Sequence, residues 1–272
     1  MNSNHPILRF FRYLKAHPKF AVGLILTTIF VLLALIGQFW TPYSVTKMDA
    51  SGINLSPSLT HWMGTDNFGR DVFSRVMKGL GTTLFVALIT VACGCVIGAA
   101  VGAVTGYFGG VVDNVIMRMN DILLAFPSVL LALILISFMG TGTLNTVVAL
   151  SILFIPSFAR IVRGEVIRLK SRDFVSNARI HGVGTFRIIF VHILPNVKTE
   201  LMSAILIGFN NAVLAEASMS YLGLGVQPPD PSLGRMLSEA SGNLYICPWS
   251  VLGPGLAMVL VILGFSLLEA EE

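Results

Sequence analysis

The chain has 272 residues, of which 54% are hydrophobic and only 12% are charged. A soluble domain carries about 25% charged residues, so this composition excludes an ordinary soluble domain and indicates a membrane protein with several spans. The net charge is +4, and basic cytoplasmic loops are its usual source in a membrane protein. No nucleic-acid partner is therefore expected.

Six apolar runs are long enough to cross a bilayer, which takes about 20 residues of helix. In chain order they are Phe20–Trp40, Thr83–Tyr107, Ile116–Phe138, Leu144–Ile161, Leu201–Tyr221 and Trp249–Leu268. The third run contains Pro127 and the fourth contains Pro156, residues that a span tolerates where its neighbours satisfy the freed carbonyl. The first run lacks a small-residue cleavage site, which predicts a retained helix. The sequence predicts an all-α membrane protein with six transmembrane helices.

Lysine and arginine predict the orientation, because basic loops stay in the cytoplasm. The basic residues near the N-terminus are Arg9, Arg12, Lys15 and Lys19. Those after the fourth run are Arg160, Arg163, Arg168, Lys170, Arg172, Arg179, Arg187 and Lys198. An even number of spans places both groups on one side, so both termini are predicted to be cytoplasmic. The long loops 41–82 and 222–248 then face outward.

Two parts of the chain are expected. Residues 1–80 would hold the N-terminal segment, the first helix and an outer loop, and residues 81–272 would form a five-helix core. A cytoplasmic loop at about 165–196 belongs to that core. No Walker motif and no hydrolase motif occurs. The chain is therefore predicted to be neither an ATPase nor another enzyme, with no cofactor of its own.

The stretch DFVSNARIHGVGTFRIIFVHILPN, Asp173–Asn196, is too polar to be a seventh span. Asp173 is predicted to cap a short helix that ends at Gly182, and Pro195 to break a second helix, TFRIIFVHIL. An apolar face is expected to lie on the membrane surface or in a groove of a partner. Its residues are Phe174, Ile180, Phe186, Ile189 and Phe190.

This stretch resembles the cytoplasmic coupling loop of ABC-importer permeases. That family has Glu-Ala-Ala, three residues, Gly, nine residues and then Ile-x-Leu-Pro. Here the pattern reads Ser176-Asn177-Ala178, Gly182 and His192-Ile193-Leu194-Pro195 at the same spacing. The family's glutamate and first alanine are replaced, whereas HILPN is the form usual in the peptide branch.

Three further motifs resemble the peptide/nickel branch of the same family. They are HWMGTDNFGRDVFSRVMKG from His61, DILLAFPSVLLAL from Asp121 and EASMSYLGLGVQPPDPSLGRML from Glu216. The branch usually has Trp where Leu233 stands, and it continues into a polar tail where this chain ends in LLEAEE. The short end is expected to affect assembly.

The resemblance implies a type I permease core that encloses a pathway for di- or oligopeptides or nickel chelates in a prokaryotic inner membrane. Its implied partners are a paralogous permease in a heterodimer, two ATPase subunits that bind ATP and Mg²⁺, an extracytoplasmic binding protein and membrane lipid. The implied docking residues are Phe174, Ser176, Asn177, Ala178, Gly182, Phe186, Ile193, Leu194 and Pro195. The alternatives are a self-contained channel or secondary transporter and a membrane-embedded enzyme.

Three polar residues in the fifth run are candidates for the pathway or its gate: Asn210, Asn211 and Glu216. Ionisable groups within spans usually face a bundle interior or a wet cavity. The alternatives are an interfacial position for Glu216 and interhelical hydrogen bonding for the two asparagines.

Other polar residues are predicted to be structural. Asp121 can pair with Arg118 one helical turn away, and Asp66 with Arg70 and Asp71 is expected to form a turn with an ion pair. Cys93 and Cys95 point to different helix faces, so no metal site is predicted. A stripe of glycines beside them suits close helix packing, and its members are Gly94, Gly98, Gly102 and Gly106. His181 and His192 are predicted surface residues.

Overall fold

The computed structural model describes residues 15–269, and within them the regular elements are helices. One isolated antiparallel bridge joins Thr65 to Asp71. The helices are α1 (Pro18–Phe39), α2 (Val72–Phe108), α3 (Gly110–Ala125), α4 (Ser128–Met139), α5 (Thr143–Leu169), α6 (Asp173–Ile180), α7 (Lys198–Tyr221), α8 (Leu233–Ser241) and α9 (Trp249–Glu269). The described part does not include Arg9 and Arg12, on which the predicted orientation partly depends. It also does not include the last three residues, which belong to the short C-terminus.

Five helices in this part are long and apolar enough to cross a membrane: α1, α2, α5, the continuous helix from Thr185 to Tyr221, and α9. Helices α3 and α4 together would make a sixth span. The predicted all-α membrane fold is confirmed. The boundaries differ most in the fifth span, which begins at Thr185 rather than Leu201, and in α2, which begins at Val72 rather than Thr83; α5 continues beyond Ile161 to Leu169.

The third predicted span, Ile116–Phe138, corresponds to two helices rather than one. Helix α3 ends at Ala125, α4 begins at Ser128, and the two are bent by 96° at the break. Pro127 is the N-cap of α4. A proline has no N–H to donate to the preceding turn and pushes the residue before it out of the helical region, and Phe126 is accordingly extended.

The prediction that Pro195 breaks the helix before α7 is wrong. A turn of α-helix at Thr185–Arg187, a wide π-helical stretch at Ile188–Ile193 and a 3₁₀ stretch at Leu194–Val197 run on into α7. Pro195 lies in the first turn of the 3₁₀ stretch, where a missing N–H costs little.

The chain forms two compact units. One comprises the residues up to Phe85 together with those from Glu216 onward, and the other comprises Val86–Ala215. The border falls within α2 and within α7. The predicted division at residue 80 follows a different line and stays a prediction.

Close glycine contacts bring helices together within the second unit. A Cβ on Gly94 would lie 2.8 Å from Phe154 Cβ, and one on Gly98 would lie 2.7 Å from the Ile155 carbonyl, both on α5. Gly102 and Gly106 meet the backbone of α5 in the same way. The predicted packing role of this stripe is confirmed. Cys93 is exposed and Cys95 is buried, as expected for two different faces of one helix.

Candidate functional site

Helix α6 ends in a turn that requires a glycine. Gly182 adopts a φ of +74°, a left-handed conformation that glycine takes without steric cost. The Gly182 and Val183 N–H groups donate to the carbonyls of Arg179 and Ala178, at 2.9 and 3.0 Å. The predicted helix end is confirmed, but the predicted cap is wrong. Arg172 is the N-cap without a side-chain bond, and Asp173 lies in the first turn, where the helix dipole favours its charge.

Beneath α6 lies an apolar cluster drawn from four parts of the second unit. Its buried members are Ala99, Ala103, Val162, Val166, Leu169, Val175, Ala178, Ile188, Ile189, Ile193 and Val197. The prediction that Ile189 belongs to the exposed face is wrong, because this side chain is fully buried. Val175 and Ala178 attach α6 to α5 and to the entry of α7 through this packing. We call residues 173–197 the coupling segment.

Large apolar side chains remain exposed on the coupling segment. Ile180 is 81% exposed and Phe186 is 70% exposed, and Phe174 and Phe190 are also exposed. The Phe186 and Phe190 rings are parallel within 4°, with centroids 6.4 Å apart. A patch of this kind on a rigid base is typical of a protein-binding surface.

The polar positions of the coupling pattern lie on its surface. Ser176, Asn177 and Pro195 are exposed, and Leu194 is half-buried. The replacement of the family's Glu-Ala therefore leaves the packed side of α6 unchanged. His181 is exposed and His192 is half-buried, which agrees with the predicted surface role.

Two contacts, one from the turn before α6 and one from α6 itself, tie this part of the chain to the end of α2. The Lys170 Nζ donates to the Tyr107 carbonyl at 3.0 Å, and the Arg179 guanidinium lies over the Tyr107 ring, 5.3 Å from its centroid. Arg168 contacts Glu165 and donates to Glu200 at 3.2 Å. Together with the apolar cluster, these bonds make the segment and the adjoining helix ends one packed body.

Glu216, in the first unit, is completely buried. The Ser220 hydroxyl donates to Glu216 Oε1 at 2.6 Å, and the hydroxyls of Thr83 and Ser232 lie beside the carboxyl group. Each of the three hydroxyls also accepts a backbone N–H, from Val226, Leu233 and Arg235 respectively. Glu216 thus organises the end of α7, the loop after it and the start of α8.

The other two candidates of the fifth run lie in the second unit, on α7. Asn210 is buried and Asn211 is exposed. The structure brings neither asparagine into the group that surrounds Glu216.

An ion-pair network in the first unit joins the loop before α2 to α8. Asp66 accepts bonds from Arg70 Nε at 2.8 Å and Arg75 Nη1 at 2.6 Å. Glu239 accepts from the same two arginines at 2.7 and 3.0 Å. Burial would raise the pKa of Glu239, but Arg75 and Arg70 outweigh it and hold the pKa below its ordinary value. The expected Asp66–Arg70 pair is confirmed.

Sequence reasoning missed the part played by Arg75 and Glu239 in this network. The only signal was the balance of acids and bases in loop 41–82. The predicted Arg118–Asp121 pair is wrong, because Asp121 accepts from Arg160 at 2.6 Å instead. Among the described residues no cluster of ligand side chains suited to a metal ion occurs.

A comparison with known proteins identifies the family to which this architecture belongs. Residues 98–269 match the family model of the binding-protein-dependent transport system inner membrane component. The chain belongs to this family of importer permeases. Residues 6–57 of the permease match the N-terminal TM domain of oligopeptide transport permease C. The two family matches support the prediction of an ABC-importer permease subunit.

Similar permeases occur in several bacteria. The chain is 39% identical over 258 residues to the dipeptide transport system permease protein DppC of Alkalihalophilus pseudofirmus, covering 95% of this chain and 85% of the relative. It is 39% identical over 262 residues to the glutathione transport system permease protein GsiD of Pectobacterium atrosepticum, covering 94% and 85%.

A solved structure shares the fold. The MetNI methionine ABC transporter, in an inward-facing conformation, matches with a TM-score of 0.59 at 20% identity, covering 70% of this chain and 91% of that one. The type I importer fold and the multi-pass inner-membrane location follow from the family and this likeness.

Proposed function

We propose that this permease carries short peptides, either dipeptides or the tripeptide glutathione, with nickel chelates as the second candidate of its branch. The names of the DppC and GsiD relatives support the peptide class. The permease is not an enzyme in this proposal: ATP and Mg²⁺ bind to separate ATPase subunits, and an extracytoplasmic protein delivers the substrate. A paralogous permease completes a heterodimer.

The coupling segment is the proposed docking site for an ATPase subunit. The observation that carries this proposal is its exposed apolar patch of Ile180, Phe186 and Phe190 on a buried apolar base. Such side chains fit a hydrophobic groove, and the packed base can pass a displacement on without deforming. Phe174, Ser176 and Asn177 extend the same surface, whereas Ala178 and Ile193 hold it in place.

Co-purification from the native host tests this docking. Ile180→Glu and Phe186→Glu place charges on the exposed patch and should each release the ATPase subunits while the permease keeps its thermal stability. Leu144→Glu is the matched control, since Leu144 is also exposed and apolar but lies outside the coupling segment. ATPase capture that survives both patch variants would exclude this surface as the docking site.

The proposed orientation has both termini and the coupling segment in the cytoplasm. Single cysteines at Ile180 and Tyr245 test it, since both positions are exposed and the native exposed thiol, Cys93, can be replaced by Ser. A membrane-impermeant maleimide added to intact spheroplasts should label Tyr245→Cys and spare Ile180→Cys. The reverse pattern would overturn the orientation.

The pathway candidates take different parts in this proposal. The exposed Asn211 amide is the one available to line a pathway, while the buried Glu216 supports the gate by holding the start of α8. Asn211→Leu should lower uptake with unchanged stability, whereas Glu216→Leu should lower both. Equal effects of the two variants on stability would contradict this division.

A further inference from the structure

Helix α3 lies between two junctions that can turn. Gly109 and Gly110 have φ values of +66° and +60°, and nothing lies within 4 Å of where a Cβ would stand on either. At the other end, the break at Phe126–Pro127 bends the chain by 96°. Hinges are a few residues at element ends that absorb changes in φ and ψ, so α3 is built as a rigid rod between two such points.

Two ion pairs hold this rod against α5. Arg163 binds Asp113 in a bidentate manner, with Nε–Oδ1 at 2.5 Å and Nη2–Oδ2 at 2.6 Å. The Asp113 side chain is 11% exposed and that of Arg163 is 32% exposed. The second pair, Arg160–Asp121, has side chains that are 58% and 63% exposed, and exposed pairs contribute little. Asp113–Arg163 is the stronger of the two.

Arg163 stands on the part of α5 that is fixed to the coupling segment. One turn on either side of it, α5 contributes Ala159 to the contact with Gly102, and Val166 to the contact with Gly106 and to the apolar cluster. The Arg163 backbone itself touches the same two glycines. Its backbone is thus immobilised by packing, while its guanidinium reaches out to α3.

We propose that the Asp113–Arg163 ion pair is the joint through which a displacement of the coupling segment reaches α3, and that Arg163 is a positioning residue for transport. A bidentate fork fixes direction as well as distance, so α3 follows α5 in both translation and rotation. The glycine pair and the proline break let α3 move as one piece. This inference rests on the proposed docking of ATPase subunits to the coupling segment.

The test uses the complete importer, purified with its partner subunits and reconstituted in proteoliposomes. Spin labels at Val111 on α3 and Ile167 on α5, both exposed, report their separation without ATP and after trapping with ATP and vanadate. The wild-type separation should remain one narrow distribution in both states, and Asp113→Asn should broaden it. In the Asp113→Asn variant, uptake of tritiated dialanine, or of labelled glutathione, should fall about tenfold more than ATP hydrolysis does.

Three controls separate the joint from a purely structural role. Asp121→Asn removes the exposed pair and should leave the distance distribution and the ratio of uptake to hydrolysis unchanged. The double exchange Asp113→Arg with Arg163→Asp should restore a narrow distance distribution. Arg163→Lys, which keeps the positive charge, should retain part of the ratio of uptake to ATP hydrolysis that Asp113→Asn loses. The proposal would be overturned if Asp113→Asn kept a narrow distance distribution and an unchanged ratio of uptake to ATP hydrolysis. It would also be overturned if Asp113→Asn and the double exchange lost assembly of the importer to the same extent. Wild-type permease that captures no ATPase subunit would instead refute the proposed function.

Discussion

The coupling segment and the ion-pair network around Asp66 are two polar-looking stretches of sequence that are stabilised in opposite ways. The coupling segment buries apolar side chains such as Val175 and Ile189 and leaves aromatic rings on its surface. The network buries its charges, with Asp66 and Glu239 each shared between the same two arginines.

The difference lies in the kind of contact that holds each region together. Apolar packing is non-directional, so the coupling segment can keep its shape through the docking and release that we propose for its exposed rings. Buried ion pairs hold only in one geometry, because charges without partners are costly to bury. The network therefore fixes one arrangement of the loop before α2 against α8. The following predictions compare the effects of changes in the two regions on stability and on partner binding.

Asp66→Ala is expected to have the largest effect. It leaves Arg70 and Arg75 buried with half of their partners, and breaking a buried pair in this way costs about 3–5 kcal/mol. The free energy of unfolding in mixed detergent, followed by tryptophan fluorescence, measures the loss. Asp121→Ala breaks the exposed pair and should cost at most about 1 kcal/mol. Equal losses in the two variants would show that burial does not set the strength of these pairs.

Ile189→Ala should come next. Removing a fully buried isoleucine leaves a cavity in the apolar cluster, which costs about 2–5 kcal/mol. Phe186→Ala, three residues earlier, should change the unfolding free energy by no more than about 0.5 kcal/mol because the ring is exposed. The same Phe186 variant should bind ATPase subunits more weakly. A destabilised Phe186→Ala would mean that the exposed rings help to fold the segment.

Acid should weaken the ion-pair network around Asp66. The pKa of Glu239 lies below its ordinary value of 4.5, so its ion pairs stabilise the fold above that pH and are lost as the pH falls through the lowered pKa. Wild type should be more stable than Glu239→Gln at neutral pH, and the difference should disappear in acid. Thermal unfolding across pH measures it. A gap that stays constant from neutral pH to the most acidic pH at which the wild type remains folded would show that Glu239 acts through its shape rather than its charge.

Hydropathy was sufficient to predict most of the spans, because each is an apolar run of bilayer length. It could not predict the behaviour of the prolines. Pro127 breaks its run, whereas Pro156 lies inside α5 and Pro195 starts a turn that continues. The outcome depends on the neighbouring backbone, which hydropathy does not describe.

Side-chain direction in the coupling segment could not be predicted either. Phe186, Ile189 and Phe190 share a face in a regular α-helix, but the stretch Ile188–Ile193 is π-helical and only Ile189 of the three turns inward. With apolar residues on every side, the sequence pattern gives no preference. The Asp113–Arg163 pair was hidden for a related reason, since its members lie fifty residues apart and only the packing of α3 on α5 brings them together.

The smallest expected effect comes from restoring the family's Glu-Ala with Ser176→Glu and Asn177→Ala. Both positions are exposed and lie away from the apolar cluster, so the unfolding free energy should change by no more than about 0.5 kcal/mol. An added surface ion pair with an ATPase subunit is worth about 0.2–1 kcal/mol, or up to about fivefold in affinity. Titration of immobilised permease with purified ATPase subunit measures this gain, and Ser171→Glu, on the exposed turn before α6, controls for added charge alone. A gain shared by both variants would reflect general electrostatic attraction. A loss in the restored variant alone would show that the ATPase groove of this importer has adapted to Ser176 and Asn177, and that the docking surface differs from its relatives in charge while it keeps their shape.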